Sequence, residues 1–204
     1  PEEDTEGALL VVSFDGKGVP MIKEEAVKLK AKLGTGEKRQ KKKEALVGVC
    51  STVDAKPRAP EALAELLVDP EAARARRQRE AVGDDAPRAQ QVRRLASLVR
   101  TKQAVMEGIK ADAKRRDPQH RKPLVVLLDG ALGLWSLAPK LFREWRRVTC
   151  VLEILHVVGY LWSAANALFG EGSKAGKRWV QQQLTAMLRG RVGYVIGGLR
   201  QLLT

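Results

Sequence analysis

The sequence predicts a mixed α/β fold in which helices flank a sheet and a helical C-terminal extension follows it. Two observations lead to this prediction. Short apolar runs rich in β-branched residues, typical of buried strands, stand at 8–14, 44–54 and 124–128. Longer segments between and after them place apolar residues at helical spacing. The 204 residues are enough to bury a sizeable core.

The first half of the chain alternates strand patterns with charged segments. After the strand predicted at 8–14, residues 23–43 combine a short helical pattern with a basic run, which indicates an exposed excursion. A second strand is predicted at 44–54. Residues 57–85 are rich in Ala, Arg and Glu and polar nearly all round, so we expect a surface helix or an insertion there.

The second half begins with a long, well-patterned segment. Residues 87–116 predict one packed helix, whose apolar stripe comprises Val92, Leu95, Val99, Met106 and Ile109. A strand is then predicted at 124–128, a helix at 135–147 and a further strand at 148–152. Amphipathic helices are predicted at 156–169, 173–188 and 192–203.

The charge balance points to a polyanionic partner. Lys and Arg number 37 against 24 Asp and Glu, which gives a formal net charge of +13 and a pI near 10.0. Nucleic acid is the commonest partner of so basic a chain, although an inert basic surface would have the same composition. The candidate phosphate contacts are a run in the first excursion and a patch on the helix before the strand at 148–152: Lys38, Arg39, Lys41, Lys42, Lys43, Arg143, Arg146 and Arg147. A solvated charged face is the other interpretation of such runs.

The cysteines and the hydropathy exclude several classes of protein. Cys50 and Cys150 are the only cysteines, so neither a paired zinc-ligand spacing nor a disulfide framework exists. No apolar stretch is long enough to span a membrane, and the N-terminus has no signal-peptide pattern. We therefore expect a soluble cytoplasmic protein with no membrane partner.

Two aspartates follow apolar runs in nearly the same local setting. "VVSFDGKGVP" contains Asp15 and "LVVLLDGALGLW" contains Asp129, each followed by Gly. Two strands joined by a long helical crossover tend to pair in parallel, which would bring both aspartates to the carboxyl edge of the sheet, where ligands of such sheets bind. Each Asp-Gly alone could equally be a turn that closes a strand.

Paired carboxylates beside a dry sheet repel each other unless a cation lies between them. Oxygen ligands prefer hard divalent cations, so Asp15 and Asp129 are predicted ligands of Mg²⁺ or Mn²⁺. Two such ions can promote displacement at a phosphodiester. A metal-dependent phosphohydrolase on a doubly wound sheet would also place an Asp after the first strand. Such enzymes commonly need a second Asp two residues later, where this chain has Lys17, so this alternative is disfavoured.

These two motifs, together with "VLEILHVVGYLW" at 151–162, resemble the transposases of bacterial insertion sequences of the ISKra type, relatives of the Mutator-like DDE transposases. The resemblance covers 11–21 and is closest over 124–203. It implies an RNase H-like mixed sheet, with Asp15 and Asp129 as catalytic residues and two Mg²⁺ or Mn²⁺ ions in the complete enzyme. Glu153 and His156 correspond to an Asp-x-x-His pair that supports the site, although His156 could instead be a buried histidine that Glu153 hydrogen-bonds.

The resemblance also implies a third catalytic Glu downstream of His156. The only acid beyond His156 is Glu171, whose glycine-flanked setting does not fit a core helix. We therefore expect a fragment: a truncated core at 1–165 with excursions at 23–43 and 57–85, then the start of a helical insertion at 166–204. Alone it should be catalytically weak or inactive.

The leading hypothesis is DNA transposition, in which a metal-dependent polynucleotidyl transferase cuts element ends and joins them to target DNA. The implied partners are the terminal inverted repeats, the target DNA and further copies of the same chain, in a bacterial cytoplasm at the nucleoid. The alternative is a non-enzymatic basic module that binds nucleic acid. Its Asp-Gly pairs would be turns, and its binding would be indifferent to Mg²⁺ at matched ionic strength.

Overall fold

The computed structural model describes residues 7–24, 42–79 and 88–202, and they form the predicted mixed α/β fold. In chain order the elements are β1 (Leu9–Pro20), β2 (Lys42–Val53), α1 (Pro60–Val68), α2 (Pro70–Arg79), β3 (Gln90–Ser97), α3 (Lys102–Arg116), β4 (Leu124–Leu128), α4 (Leu132–Leu141), β5 (Val148–Leu152), α5 (Ile154–Phe169), α6 (Lys174–Leu188) and α7 (Val192–Gln201). They divide into two compact units. The first takes the described residues within 1–55 and 87–152, and the second those within 56–86 and 153–204.

The first unit contains one five-stranded mixed sheet. Its strand order is β3-β2-β1-β4-β5. Strand β2 is antiparallel to both of its neighbours, whereas β1, β4 and β5 run parallel to one another. The carboxyl ends of these three parallel strands therefore share one edge of the sheet.

The core of the first unit lies on one face of this sheet. Alternate residues of β1 and β4 are fully buried there, because successive strand residues point to opposite faces. Helices α3 and α4 cover that face, and Phe142 and Trp145 complete the core after α4 ends. The principal core residues are Leu10, Val12, Phe14, Leu124, Val126, Leu128, Val105, Met106, Ile109, Leu134 and Ala138.

The prediction of a single long helix at 87–116 is wrong, because the first part of this segment forms strand β3. Antiparallel pairing with β2 provides hydrogen-bond partners for the main chain of 90–97. The register shifts between Cys50 and Thr52 of β2, and Gln91 in this region has a φ of 52°. Leu95 contacts α3 beside Gly108, while Val99 is 88% exposed, so the predicted apolar stripe does not exist as one face. Helix α3 then begins after Thr101, whose hydroxyl accepts a hydrogen bond from the Ala104 N–H.

Three further boundaries differ from the sequence prediction. Strand β1 continues through Asp15 and Gly16, so that Asp-Gly is not a turn. Helix α4 lies at Leu132–Leu141 instead of 135–147, because burial of Phe142 and Trp145 takes the chain out of the helical path. The segment 57–85 contains two helices that meet at Asp69, and its remaining residues from 80 onward lie outside the described ones.

The second unit is helical in its described part. Helix α6 packs against α1, α5 and α7 around a core that contains Ala64, Val68, Val158, Leu161, Ala165, Val180 and Leu184. The Lys177 ammonium forms an ion pair with Asp69 at the junction of α1 and α2. The hydrogen bond from Lys177 and that from the Ala72 N–H stabilise the Asp69 carboxylate and lower its pKa below the ordinary value.

None of the helices in the described part of the chain combines the length and the apolar character needed to cross a bilayer.

Candidate functional site

The parallel pairing of β1 and β4 brings Asp15 and Asp129 to neighbouring positions. The last partners in this ladder are Phe14 and Leu128, and each aspartate is the next residue of its strand path. The Asp129 N–H donates to the Phe14 carbonyl oxygen at 3.4 Å, which continues the ladder by one step. Neighbouring strands lie about 4.8 Å apart, so this is the separation expected between the two main-chain positions.

Hydrogen bonds to main-chain N–H groups fix the Asp129 carboxylate. Its Oδ2 accepts from the Gly16 N–H at 3.1 Å, and its Oδ1 accepts from the Ala131 N–H at 2.8 Å. The Trp135 indole N–H donates to the Asp129 carbonyl oxygen at 2.7 Å. Asp129 is 8% exposed, so its carboxylate is buried and held in one orientation at the start of α4.

The Asp15 side chain is half-buried and leaves β1 on the face opposite to Phe14. Within the described residues, its carboxylate has neither a hydrogen-bond nor an ion-pair partner. The two aspartates therefore differ: Asp129 accepts hydrogen bonds from the main chain, whereas Asp15 has no such partner among the described residues.

Glu44 is a third carboxylate at this edge, which the sequence analysis did not select. A Cβ built on Gly16 would overlap Glu44 Oε1 and would stand 3.5 Å from Asp129 Oδ2, so both carboxylates lie beside the same α-carbon. The Lys102 ammonium forms an ion pair with Glu44 Oε1 at 2.9 Å. Pairing of Gly18 with Glu44 creates this neighbourhood, and no local motif around Glu44 announces it.

The chemistry of these donors fits a hard divalent cation. Carboxylate oxygens are the ligands that Mg²⁺ and Mn²⁺ prefer, and each Asp129 oxygen keeps lone-pair capacity beyond the one N–H that it accepts. In the part of the chain that the structure describes, no three His, Cys, Asp or Glu side chains are arranged as a metal-ligand set. Asp15 and Asp129 remain a candidate pair of ligands because they are neighbours at one edge, and Glu44 is a further carboxylate beside Gly16.

Glu153 and His156 belong to the second unit. Glu153 follows β5 directly in the chain and is the residue before the first turn of α5. His156 Nδ1 lies 2.8 Å from Glu153 Oε2, and the His156 side chain is 41% exposed. The alternative interpretation of His156 as hydrogen-bonded to Glu153 thus agrees with the structure, whereas its burial does not.

The predicted basic residues fall into three groups. Lys38, Arg39 and Lys41 lie outside the described residues. Lys42 and Lys43 begin strand β2 instead of ending a basic loop, because they pair with Pro20 and Val19 of the extended β1. The remaining three are exposed residues of the turn between α4 and β5, not of a helix: Arg143, Arg146 and Arg147.

No protein-family model, curated protein or solved structure matches this chain.

Proposed function

We propose that this chain performs metal-dependent phosphodiester chemistry on DNA, as the catalytic core of a DDE-type transposase. The observation that carries the proposal is the register of β1 and β4, which makes Asp15 and Asp129 neighbours at the carboxyl edge of parallel strands. Two Asp-Gly pairs that are remote in sequence become neighbours through this pairing. The transposase assignment itself rests on the motif resemblance.

The topology of the sheet supports an RNase H-like core within this proposal. Three antiparallel strands, β3, β2 and β1, are followed by two strands parallel to β1, and this order β3-β2-β1-β4-β5 is the arrangement expected of such a core. In that arrangement the central strand β1 and its parallel neighbour β4 supply the first two catalytic acids.

Asp15 and Asp129 would hold one or two divalent cations, which supply electrostatic stabilisation and activation of a nucleophile when bound. Asp129 is preorganised by the Gly16 and Ala131 N–H groups, so ordering it on cation binding costs little conformational entropy. Asp15 would contribute a second negative charge to the cation, from a carboxylate that accepts no main-chain hydrogen bond among the described residues. Lys102 neutralises Glu44, which limits the negative potential met by an approaching phosphate.

The net charge of +13 supports DNA as the substrate and binding partner. The proposed DNA contacts include Lys42 and Lys43 on β2, and Arg143, Arg146 and Arg147 before β5. The transposase hypothesis further proposes element ends and target DNA as the substrates and a homo-oligomer as the working form. Glu153 and His156 would support the site as a hydrogen-bonded pair.

A non-enzymatic nucleic-acid-binding module is the second candidate. The observation that favours it is the hydrogen bonding of Asp129, because acceptance of the Gly16 and Ala131 N–H groups is also what a purely structural aspartate would do. In this case Asp15 would be an ordinary polar residue of a strand, and the DNA affinity would come from the basic surface alone.

Titration of Mn²⁺ by calorimetry separates the two candidates. The first predicts weak, saturable binding to the wild type, and loss of that binding in Asp15→Asn and in Asp129→Asn. Asp54→Asn is the matched control, because this substitution removes the same charge at a different place. The Asp54 carboxylate accepts a hydrogen bond from the Ala8 N–H at the start of β1. Isotherms of Asp15→Asn and Asp129→Asn that equal the wild type would overturn the metal site.

Binding of a duplex oligonucleotide gives a second test. The metal-dependent candidate predicts that Mg²⁺ changes the affinity of the wild type at matched ionic strength and does not change that of Asp15→Asn. A binding module predicts no Mg²⁺ effect on either protein. Asp15→Asn should itself bind DNA as well as the wild type or better, since it lacks one negative charge near phosphate.

A further inference from the structure

A basic pocket lies at the amino ends of β4 and β5, on the sheet edge opposite to Asp15 and Asp129. Two loops form it, one before Leu124 and one before Val148, and its volume is about 600 Å³. The lining residues, which define the amino-edge pocket, are Gln119, His120, Arg121, Arg146 and Arg147. Three arginines and a histidine thus converge on one cavity with no carboxylate in its lining.

The first wall of the amino-edge pocket is held rigidly by Asp117. This carboxylate is 5% exposed and accepts the Arg121 N–H at 2.9 Å and the Lys122 N–H at 3.0 Å. The Asp117 carbonyl oxygen accepts the His120 N–H at 3.1 Å. His120 itself has a φ of 53°, a left-handed conformation that persists in a non-glycine residue only when its surroundings impose it.

The second wall is anchored in the core. Trp145 is 3% exposed and packs on Phe142, with ring centroids 5.9 Å apart. The Arg147 carbonyl oxygen accepts the Leu124 N–H at 2.8 Å, which joins this loop to β4. Arg146 and Arg147 therefore project from a fixed main chain, and the pocket does not need to be ordered by a ligand.

The three guanidinium groups have no acidic partner among the described residues. Arg121, Arg146 and Arg147 are exposed, and no ion pair or side-chain hydrogen bond within the described chain involves them. Their positive charge therefore has no ion-pair partner there, whereas Arg115 and Arg116 of α3 both pair with Asp112. An anion in the amino-edge pocket would neutralise this charge.

His120 is a largely buried part of the pocket wall. Its side chain is 19% exposed, and its Nε2 is buried without a hydrogen-bond partner. The nearest carboxylate oxygen, Glu144 Oε2, is 3.8 Å away and already accepts from Lys114 at 2.7 Å. The Trp145 ring stands edge-on to the imidazole at 4.2 Å and fixes its orientation. Because this Nε2 is closed to solvent, the imidazole would report a charge bound in the pocket without donating a hydrogen bond to it.

We propose that the amino-edge pocket binds a phosphate group, with Arg121, Arg146 and Arg147 as charged donors. Guanidinium groups match phosphate oxygens through paired N–H donors, which a point charge such as ammonium does not provide. The phosphate can belong to a nucleic-acid backbone or to a free phosphate ion, and the same donors would recognise either.

This inference deepens the proposed binding of DNA, to which Arg146 and Arg147 already belong, and it does not depend on Asp15, Asp129 or a metal. The five-residue strands β4 and β5 separate the two edges by roughly 15 Å. A phosphate bound in the amino-edge pocket is therefore not the phosphate on which the carboxylates would act. If the ligand is DNA, the pocket binds a backbone phosphate away from the one near the carboxylates and so orients the DNA on the protein.

The first experiment compares two double variants that lose the same charge. Arg121→Gln/Arg146→Gln removes one arginine from each wall of the pocket, and Arg94→Gln/Arg178→Gln removes two exposed arginines, one in the middle of β3 and one on α6. We expect the pocket variant to bind a single-stranded 12-mer of thymidylate about tenfold more weakly, while the control changes by about twofold or less. Equal losses would show a diffuse charge effect and overturn the pocket.

The second experiment follows the His120 Nε2 resonance of the wild type by nitrogen-correlated NMR. We expect it to shift saturably when the 12-mer or inorganic phosphate is added, and not with chloride at equal ionic strength. A shift with the 12-mer alone identifies a nucleic-acid backbone as the source, and a shift of equal affinity with inorganic phosphate identifies a free phosphate site. No shift with either probe would overturn the proposal, whatever the Asp15→Asn variant does with metal.

Discussion

The main-chain N–H of Gly16 donates to Oδ2 of Asp129 at 3.1 Å, although 113 positions separate the two residues in the chain. This bond links the middle of β1 to the residue that follows β4. It orients the candidate catalytic carboxylate and also contributes to the fold, so stability and function must be measured separately at this position.

Asp129→Ala should lower the free energy of unfolding by roughly 1–2 kcal/mol, because the Gly16 and Ala131 N–H groups lose their acceptor. Asp129→Asn keeps one carbonyl oxygen and should cost less. Urea unfolding of both variants checks this order. An Asp129→Ala variant as stable as the wild type would show that these hydrogen bonds contribute nothing net.

Gly48→Ala and Gly16→Ala should lower the free energy of unfolding by different amounts, although both residues lie on the sheet. A Cβ on Gly48 would stand 2.6 Å from Ile109 Cγ1 and 3.1 Å from Phe14 Cε1 in the core, so we expect a loss of about 1–3 kcal/mol. On Gly16 it would meet the end of the flexible Glu44 side chain, which is half-exposed and can move away. We expect less than about 1 kcal/mol there, chiefly from the Lys102 ion pair. Thermal unfolding of the two variants decides between these expectations, and an equal loss would contradict them.

Glu144 should contribute to stability in a pH-dependent manner. Hydrogen bonds from Lys110 and Lys114 lower the pKa of Glu144 from 4.5 to about 2. Because the folded-state pKa lies below the unfolded one, the contribution is complete above pH 4.5 and is lost as the pH falls towards 2. The stability difference between the wild type and Glu144→Gln should therefore shrink over that interval.

The same comparison in a Lys110→Met/Lys114→Met background is the control for Glu144. Removal of both ammonium groups should abolish the pH dependence of the difference, since they are its cause. A difference that stays constant down to pH 2 in the wild-type background would contradict this explanation.

Lys42→Ala should weaken duplex DNA binding and flatten its dependence on salt. Each phosphate contact contributes about −0.9 to the slope of log affinity against log salt, so loss of one contact should reduce the slope by about that amount. Lys140→Ala, which removes another exposed lysine, from α4, is the control and should leave the slope nearly unchanged. Fluorescence anisotropy over a salt series measures both, and equal slopes for the two variants would assign Lys42 to the solvated surface.

The sequence by itself determined the strands around Val12 and Val126 and most helices, because burial of one face imposes a local periodicity on the residues. It also selected Asp15 and Asp129, whose settings after apolar runs are local features. It did not determine β3, since the helical spacing of Val92 and Leu95 is compatible with a strand once β2 offers an unpaired edge.

Only the tertiary structure decided which side chains meet. The approach of Glu44 to Gly16 depends on the antiparallel register of β1 and β2, and the amino-edge pocket depends on two loops that parallel pairing of β4 and β5 brings together. His120 and Arg121 carry no motif, so their sequence neighbours give no sign of a site. Such neighbourhoods arise from pairing between residues remote in the chain, and a pattern read along the chain contains the faces of elements but not the register that joins them.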